Sequence, residues 1–294
     1  MRFRWYMFQV PDFKLQACLL PTAACLLPTA HCLLPTPHRV PFVLLLLILL
    51  LGCSDKRKAE SVNESQIPYV VVKIFPHDVT AFTQGLAIDQ GKLFESTGQE
   101  NSWIAEVDIV TGTQNKRVVL DKKYFGEGIT ILNNKIYQLT WQNHTGFVYD
   151  LRTFRKIREF QYEQEGWGLA HNGKDLIMSD GTAKLYFLDT LTLKSKAVLT
   201  VTDAGDETRN LNELEFIENY LYANQWQTSD ILKIDPVTGN VVGKMDLSAL
   251  TLKMQALNPQ ADVLNGIAYE KKSKTLLVTG KRWPAVFALR FSVH

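Results

Sequence analysis

The chain has 294 residues, a formal net charge of +2 and an apolar share of 46%, enough for a sizeable core in one large all-β domain or two smaller ones. Arg2, Arg4, Lys14 and Arg39 against Asp12 make residues 1–52 net positive and leave the remainder slightly acidic, with no electrostatic footprint for nucleic acid. All 4 cysteines, Cys18, Cys25, Cys32 and Cys53, precede residue 54, which excludes a disulfide framework or thiol nucleophile in the body, and the scattered His77, His144, His171 and His294 lack the close spacing of a zinc site.

CLLPTAA, CLLPTAH and CLLPTPH recur at a seven-residue period from Cys18, Cys25 and Cys32. A proline in each heptad forbids a continuous helix; because the region serves neither export nor folding, residues 1 to about 39 read as translated repetitive DNA with the true start near Val40. From Val40 to Gly52 the chain is apolar, short for a membrane span but suited to the hydrophobic region of a signal peptide. Leu50-Leu51-Gly52-Cys53 resembles a bacterial lipobox, which implies lipidation of Cys53. Ser54 after it implies sorting to the outer membrane, and an ordinary cleaved signal peptide is the alternative. Either reading makes residues 40–53 an export signal, and the polar stretch 54–66 reads as a tether.

From Ile67 short strand-like runs alternate with turn signals and almost no sustained helical period, which argues for an all-β domain over 67–294. Apolar anchors at Leu86, Ile129, Leu169, Leu214 and Ile267 are separated by 43, 40, 45 and 53 residues. A second strand begins seven residues after each of the first four anchors, at Leu93, Ile136, Leu176 and Leu221, and at Leu276 in the fifth repeat. Third strands end at Asp108, Asp150, Asp189 and Asp235, with Ala288 in the matching place. This multi-point register is the pattern of propeller blades and is rare in a β-sandwich, the other all-β option. Five units predict a five-bladed β-propeller, in which Tyr69–Phe75 supplies the strand missing from the last blade and removes an open sheet edge.

Equivalent positions of innermost strands project to one level of the channel. Two residues before the anchors stand Gln84, Glu127, Trp167, Asn212 and Asn265. A position serving stability alone would settle on one residue type, so this mixed ring reads as a site. Trp141, Trp226 and Lys281 each lie five residues after a second-strand start, and Phe82 and Phe125 each lie two before a ring residue. Core packing between blades is the competing role for any one tryptophan.

The segments FTQG, FGEG, EGWGL, NELEF, NGIAY and TGKRWP, in order and with suitable spacing, resemble those of the plant and bacterial type of glutaminyl cyclase. The resemblance covers Ile67 to Phe291 and implies a five-bladed propeller that works without catalytic metal or other cofactor on peptides or proteins with N-terminal glutamine. It implies a pocket of Phe82, Gln84, Phe125, Glu127, Trp141, Trp167, Asn212, Trp226 and Lys281. In the reaction so implied, the substrate's α-amine closes onto its own side-chain carbonyl and expels ammonia. Glu127 is then the proton shuttle, its pKa raised by the surrounding rings. Gln84 and Asn212 are candidates to orient the substrate amide, Lys281 or an amide N–H to stabilise the oxyanion, and the tryptophans to enclose the methylene chain. A monomer anchored to the membrane by lipid is expected. The alternatives are a non-catalytic envelope scaffold on the same fold and a metal-dependent propeller hydrolase.

Overall fold

A computed structural model describes residues 66–292; the repetitive leader, the signal peptide with Cys53, and the tether up to residue 65 lie outside them. Among the described residues five four-stranded antiparallel sheets follow one another along the chain. Blade one comprises Thr83–Asp89, Lys92–Thr97, Trp103–Asp108 and Thr113–Val119; blade two, Gly126–Leu132, Lys135–Thr140, Thr145–Asp150 and Lys156–Gln161. Blade three runs through Leu169–His171, Asp175–Ser179, Lys184–Asp189 and Ser195–Thr200, and blade four through Leu211–Ile217, Tyr220–Gln225, Asp230–Ile234 and Val241–Asp246. Blade five is built from Leu264–Glu270, Thr275–Gly280 and Ala285–Phe291, and Tyr69–Pro76 completes it, pairing from Tyr69↔Phe291 to Pro76↔Ala285. The expected closure of the ring by the first strand is therefore present.

Each blade buries its faces against its neighbours. Leu86, Trp103 and Val107 of blade one pack on Ala268, Leu277 and Val286 of blade five, whereas Phe94 and Ile104 pack on Ile131 and Phe147 of blade two. The same alternation continues through Leu139 with Leu176, Ile177 with Leu221, and Tyr222 with Phe287. Trp103 and Trp283 are the tryptophans that serve this core; Trp283 is fully buried, with its indole N–H donated to Asp262 O at 2.9 Å. The aspartates that close the third strands cap turns: Asp108, Asp150, Asp189 and Asp235 each accept a backbone N–H two or three residues on.

Two insertions depart from the four-strand repeat. The long spacing before blade five contains the helix Ser248–Leu257, which buries Leu250 and Met254 against the core between blades four and five. Those two apolar positions one turn apart are too few to stand out as a helical period. The spacing before blade four contains a small hairpin, Thr202–Asp203 with Asp206–Glu207.

The innermost strands carry the site because they are bulged. Register shifts fall between Thr83 and Gly85, Gly126 and Ile129, Leu211 and Leu214, and Leu264 and Ile267, so Gln84, Glu127, Asn212 and Asn265 each sit in a β-bulge, a device that re-aims side chains. The next residue is Gly85, Gly128, Gly168 or Gly266 in four blades and Glu213 in the fourth. Gly168 shows why a side chain is excluded there: a β-carbon would lie 2.0 Å from the Asn212 carbonyl oxygen of the adjoining blade. Gly168→Ala is expected to lower stability in urea denaturation by about 3 kcal/mol, at the upper end of ordinary overpacking, because backbone rather than a flexible side chain must yield.

Candidate active site

At one end of the channel Phe82, Gln84, Phe125, Glu127, Trp141, Trp167, Asn212, Trp226, Asp262 and Lys281 line a cavity of about 330 Å³. All nine pocket residues expected from sequence are in this set; Asp262 is an addition. The backbone brings the two groups of positions together, since Trp141 N–H pairs with Phe125 O and Trp226 N–H with Asn210 O, and Lys281 N–H with Val263 O, at 3.0, 2.8 and 3.0 Å. Where the same register carries glycine, a ring fills the space: a β-carbon on Gly98 would meet the Phe125 ring at 2.2 Å, and one on Gly181 the Trp167 ring at 2.6 Å. Small and large residues thus alternate around the mouth.

The aromatic wall is continuous over much of the rim. Phe82 meets Phe125 edge-on at 6.2 Å, Phe125 lies 5.6 Å from Trp141, and Trp167 meets Trp226 edge-on at 5.5 Å. Lys281 Nζ sits 4.7 Å above the Phe82 ring, a cation–π contact that tolerates a mostly buried ammonium.

Polar groups occupy the floor. Glu127, Gln84, Asn212 and Lys281 are all at most 5% exposed. Burial pushes the Glu127 carboxyl well above the ordinary carboxylate range, opposed by the Lys281 charge, reinforced by Glu165 and opposed again by a hydrogen bond from Gln84. Lys281 is displaced downward, because burial outweighs its attraction to Glu127 and Asp262. The fifth ring residue stands behind the pocket: fully buried Asn265 donates to Thr83 O at 3.1 Å and Gln84 Oε1 at 3.2 Å. With its oxygen taken, Gln84 turns its amide N–H₂ to Glu127. The Phe82–Gln84 segment is held from the other side by Glu95 Oε1, which accepts Thr83 Oγ1 at 2.7 Å and pairs with His77 Nε2 at 3.1 Å. Asn212 Oδ1, by contrast, is buried with no hydrogen-bond partner among the described residues, which leaves an acceptor for a ligand N–H.

The arrangement therefore offers an acid of raised pKa, an amine, two amides and an apolar cage, a set suited to moving protons on a small polar group with a short aliphatic chain. Among the described residues no group of three or more His, Cys, Asp and Glu is placed to hold a metal ion. A family model described as glutamine cyclotransferase matches residues 44–291. The chain belongs to the glutamine cyclotransferase family. It is 43% identical over 224 residues to the glutaminyl-peptide cyclotransferase of Arabidopsis thaliana, across 75% of this chain and 70% of that protein. Among solved structures it is similar to the glutaminyl cyclase of Myxococcus xanthus, with a TM-score of 0.74 and 36% identity over 78% of this chain and 99% of the other. The five-bladed architecture and the resemblance drawn from the six segments both agree with this membership.

Sequence reasoning missed two acids of this family member. Asp262 lies outside the repeat register, in the connection after the helix. Glu165 was in view inside EGWGL, two residues before Trp167, the register place of Phe82 and Phe125.

Proposed function

We propose that the chain cyclises the N-terminal glutamine of peptides or proteins to pyroglutamate with release of ammonia. The observation that supports this reading best is the buried Glu127 carboxyl, raised in pKa and facing Lys281 inside a cage of indole and phenyl rings. In the proposed reaction the glutamine side chain folds back against Trp141, Trp167 and Trp226, and its α-amine attacks its own side-chain carbonyl carbon. The new C–N bond closes a five-membered ring, and the carbonyl electrons move onto oxygen, where Lys281 stabilises the charge. Glu127 takes a proton from the attacking nitrogen and delivers one to the departing amide nitrogen. The oxyanion then re-forms the carbonyl as the original C–N bond breaks and ammonia leaves. A carboxyl held above its ordinary range is the stronger base for the first transfer and retains the proton that the second transfer delivers. Asn212 Oδ1 accepts the substrate amide N–H, and Gln84, fixed by Asn265, keeps Glu127 oriented.

Incubation of the purified protein with a peptide led by glutamine is expected to give loss of one ammonia by mass, unchanged by a chelator. A peptide that keeps its mass supports the scaffold alternative, and activity lost to chelator supports the metal-dependent one.

For cellular placement, we infer export to a bacterial envelope, with Cys53 as the lipidated residue and the outer membrane as destination. The apolar run from Val40 to Gly52 and the Leu50–Cys53 tetrapeptide support it.

A further inference from the structure

Glu165 occupies in blade three the register position that holds Phe82 in blade one and Phe125 in blade two. An acid in place of a wall ring calls for an account. Its Oε2 accepts the indole N–H of Trp141 at 2.6 Å and that of Trp167 at 3.0 Å, while Oε1 accepts the Gln142 side-chain amide at 3.0 Å. One oxygen therefore ties a pocket wall of blade two to a pocket wall of blade three. The aromatic string around the rim has a gap at that point: edge-on and tilted ring contacts join Phe82, Phe125 and Trp141 on one side and Trp167 and Trp226 on the other. Glu165 bridges the gap with charge-assisted hydrogen bonds, the strong kind. The bridge matters most for Trp141, which is 37% exposed and so less fixed by packing than a buried ring.

We propose that Glu165 is a positioning residue of the cyclisation reaction, one that clamps Trp141 and Trp167 into a single substrate wall and sets a negative charge behind the wall of the pocket that holds Glu127. The proposal rests on the cyclase reading above. Partial burial would raise the Glu165 carboxyl, but the hydrogen bonds from Trp167, Gln142 and Trp141, with His144 adding to them, hold it below the ordinary range and therefore ionised at neutral pH. The groups that act on the Glu127 carboxyl are Lys281, Glu165 and Gln84; Glu127 acts in turn on the Tyr162 hydroxyl, and Asp262 acts on Lys281. Of the charged groups acting on Glu127, Lys281 favours its ionised form and Glu165 its protonated form.

The two roles separate by substitution. Glu165→Ala removes clamp and charge; Glu165→Gln keeps a carbonyl oxygen for the indole protons and removes the charge, together with the acceptor for the Gln142 amide. In Glu165→Ala, KM for a glutamine-led peptide is expected to rise about tenfold, and the Trp141 and Trp167 indole N–H resonances, followed by ¹⁵N NMR, to move away from their hydrogen-bonded positions. In Glu165→Gln, KM is expected within about twofold of wild type, while the acid limb of the kcat–pH profile moves to lower pH by roughly half a unit, since a neighbour that disfavours ionisation is gone. Unchanged KM and unchanged indole resonances in Glu165→Ala overturn the clamp, and an unmoved acid limb in Glu165→Gln overturns the electrostatic role. The indole resonances are read without turnover, so a wild-type protein inactive on glutamine peptides sinks the cyclase reading while the clamp is still tested by spectroscopy.

Discussion

Glu127→Gln is expected to lower kcat on a glutamine-led peptide by about three orders of magnitude, within the range of a lost general acid–base group, with little change in KM. The amide is nearly isosteric with the carboxyl, and Glu127 is only 4% exposed, so the pocket keeps its shape. A pH signature accompanies the rate. The folded carboxyl has its pKa raised well above the ordinary value of 4.5, so between those two values the folded state holds a proton that the unfolded chain has released. Stability then falls as pH rises through that window and is unpenalised below it. Glu127→Gln removes this contribution, and the stability difference between variant and wild type should grow in the variant's favour from pH 4.5 upward, as read by urea denaturation at a series of pH values. A variant with near-normal kcat removes Glu127 from the mechanism.

Glu213→Ala is expected to give the largest loss of stability. In the bulge of blade four this acid stands where the other blades have glycine, and its carboxylate reaches across the channel, Oε1 accepting Leu86 N–H at 3.1 Å and Oε2 accepting Ile267 N–H at 2.7 Å. It is fully buried, and burial raises its pKa although both backbone bonds oppose the shift. Truncation leaves two buried donors unsatisfied at roughly 1–3 kcal/mol each, so a loss of about 4 kcal/mol is expected in urea denaturation. Glu213→Gln turns an amide N–H₂ toward one of those donors and should lose about half as much. Equal stability of Glu213→Ala and wild type would show that the axis tolerates an open centre.

The blades and their ring were legible because a propeller repeats its geometry: counting back two residues from each anchor found the four bulged positions Gln84, Glu127, Asn212 and Asn265, and Trp167 beside them, without knowledge that bulges were there. The same counting put Trp141, Trp167 and Trp226 at matched positions of the site, where the structure has them lining the pocket, while Trp103 and Trp283 pack in the core. What counting could not supply was direction. Asn265 shares the ring register with Gln84, yet it turns onto Gln84 Oε1, since a side chain's partner depends on the neighbouring blade and not on its own repeat. Asp262 was hidden because the helix before it breaks the spacing. Glu165 was hidden by chemical expectation: among Phe82 and Phe125 an acid reads as a departure from an aromatic wall, and its part in that wall emerges only when two indole protons are seen to converge on it.

The completion of blade five by Tyr69–Pro76 also bears on how the molecule comes to be made. The Tyr69–Pro76 strand finds its partner, Ala285–Phe291, only after nearly the whole propeller has been synthesised, and contacts so distant along a chain are slow to form. Until then Val70, Val72 and Ile74, still largely exposed in the finished sheet, travel on an unpaired strand of the kind that seeks other edges. The nascent propeller is therefore most vulnerable to mispairing at Tyr69–Pro76, and what relieves it is the arrival of Ala285–Phe291.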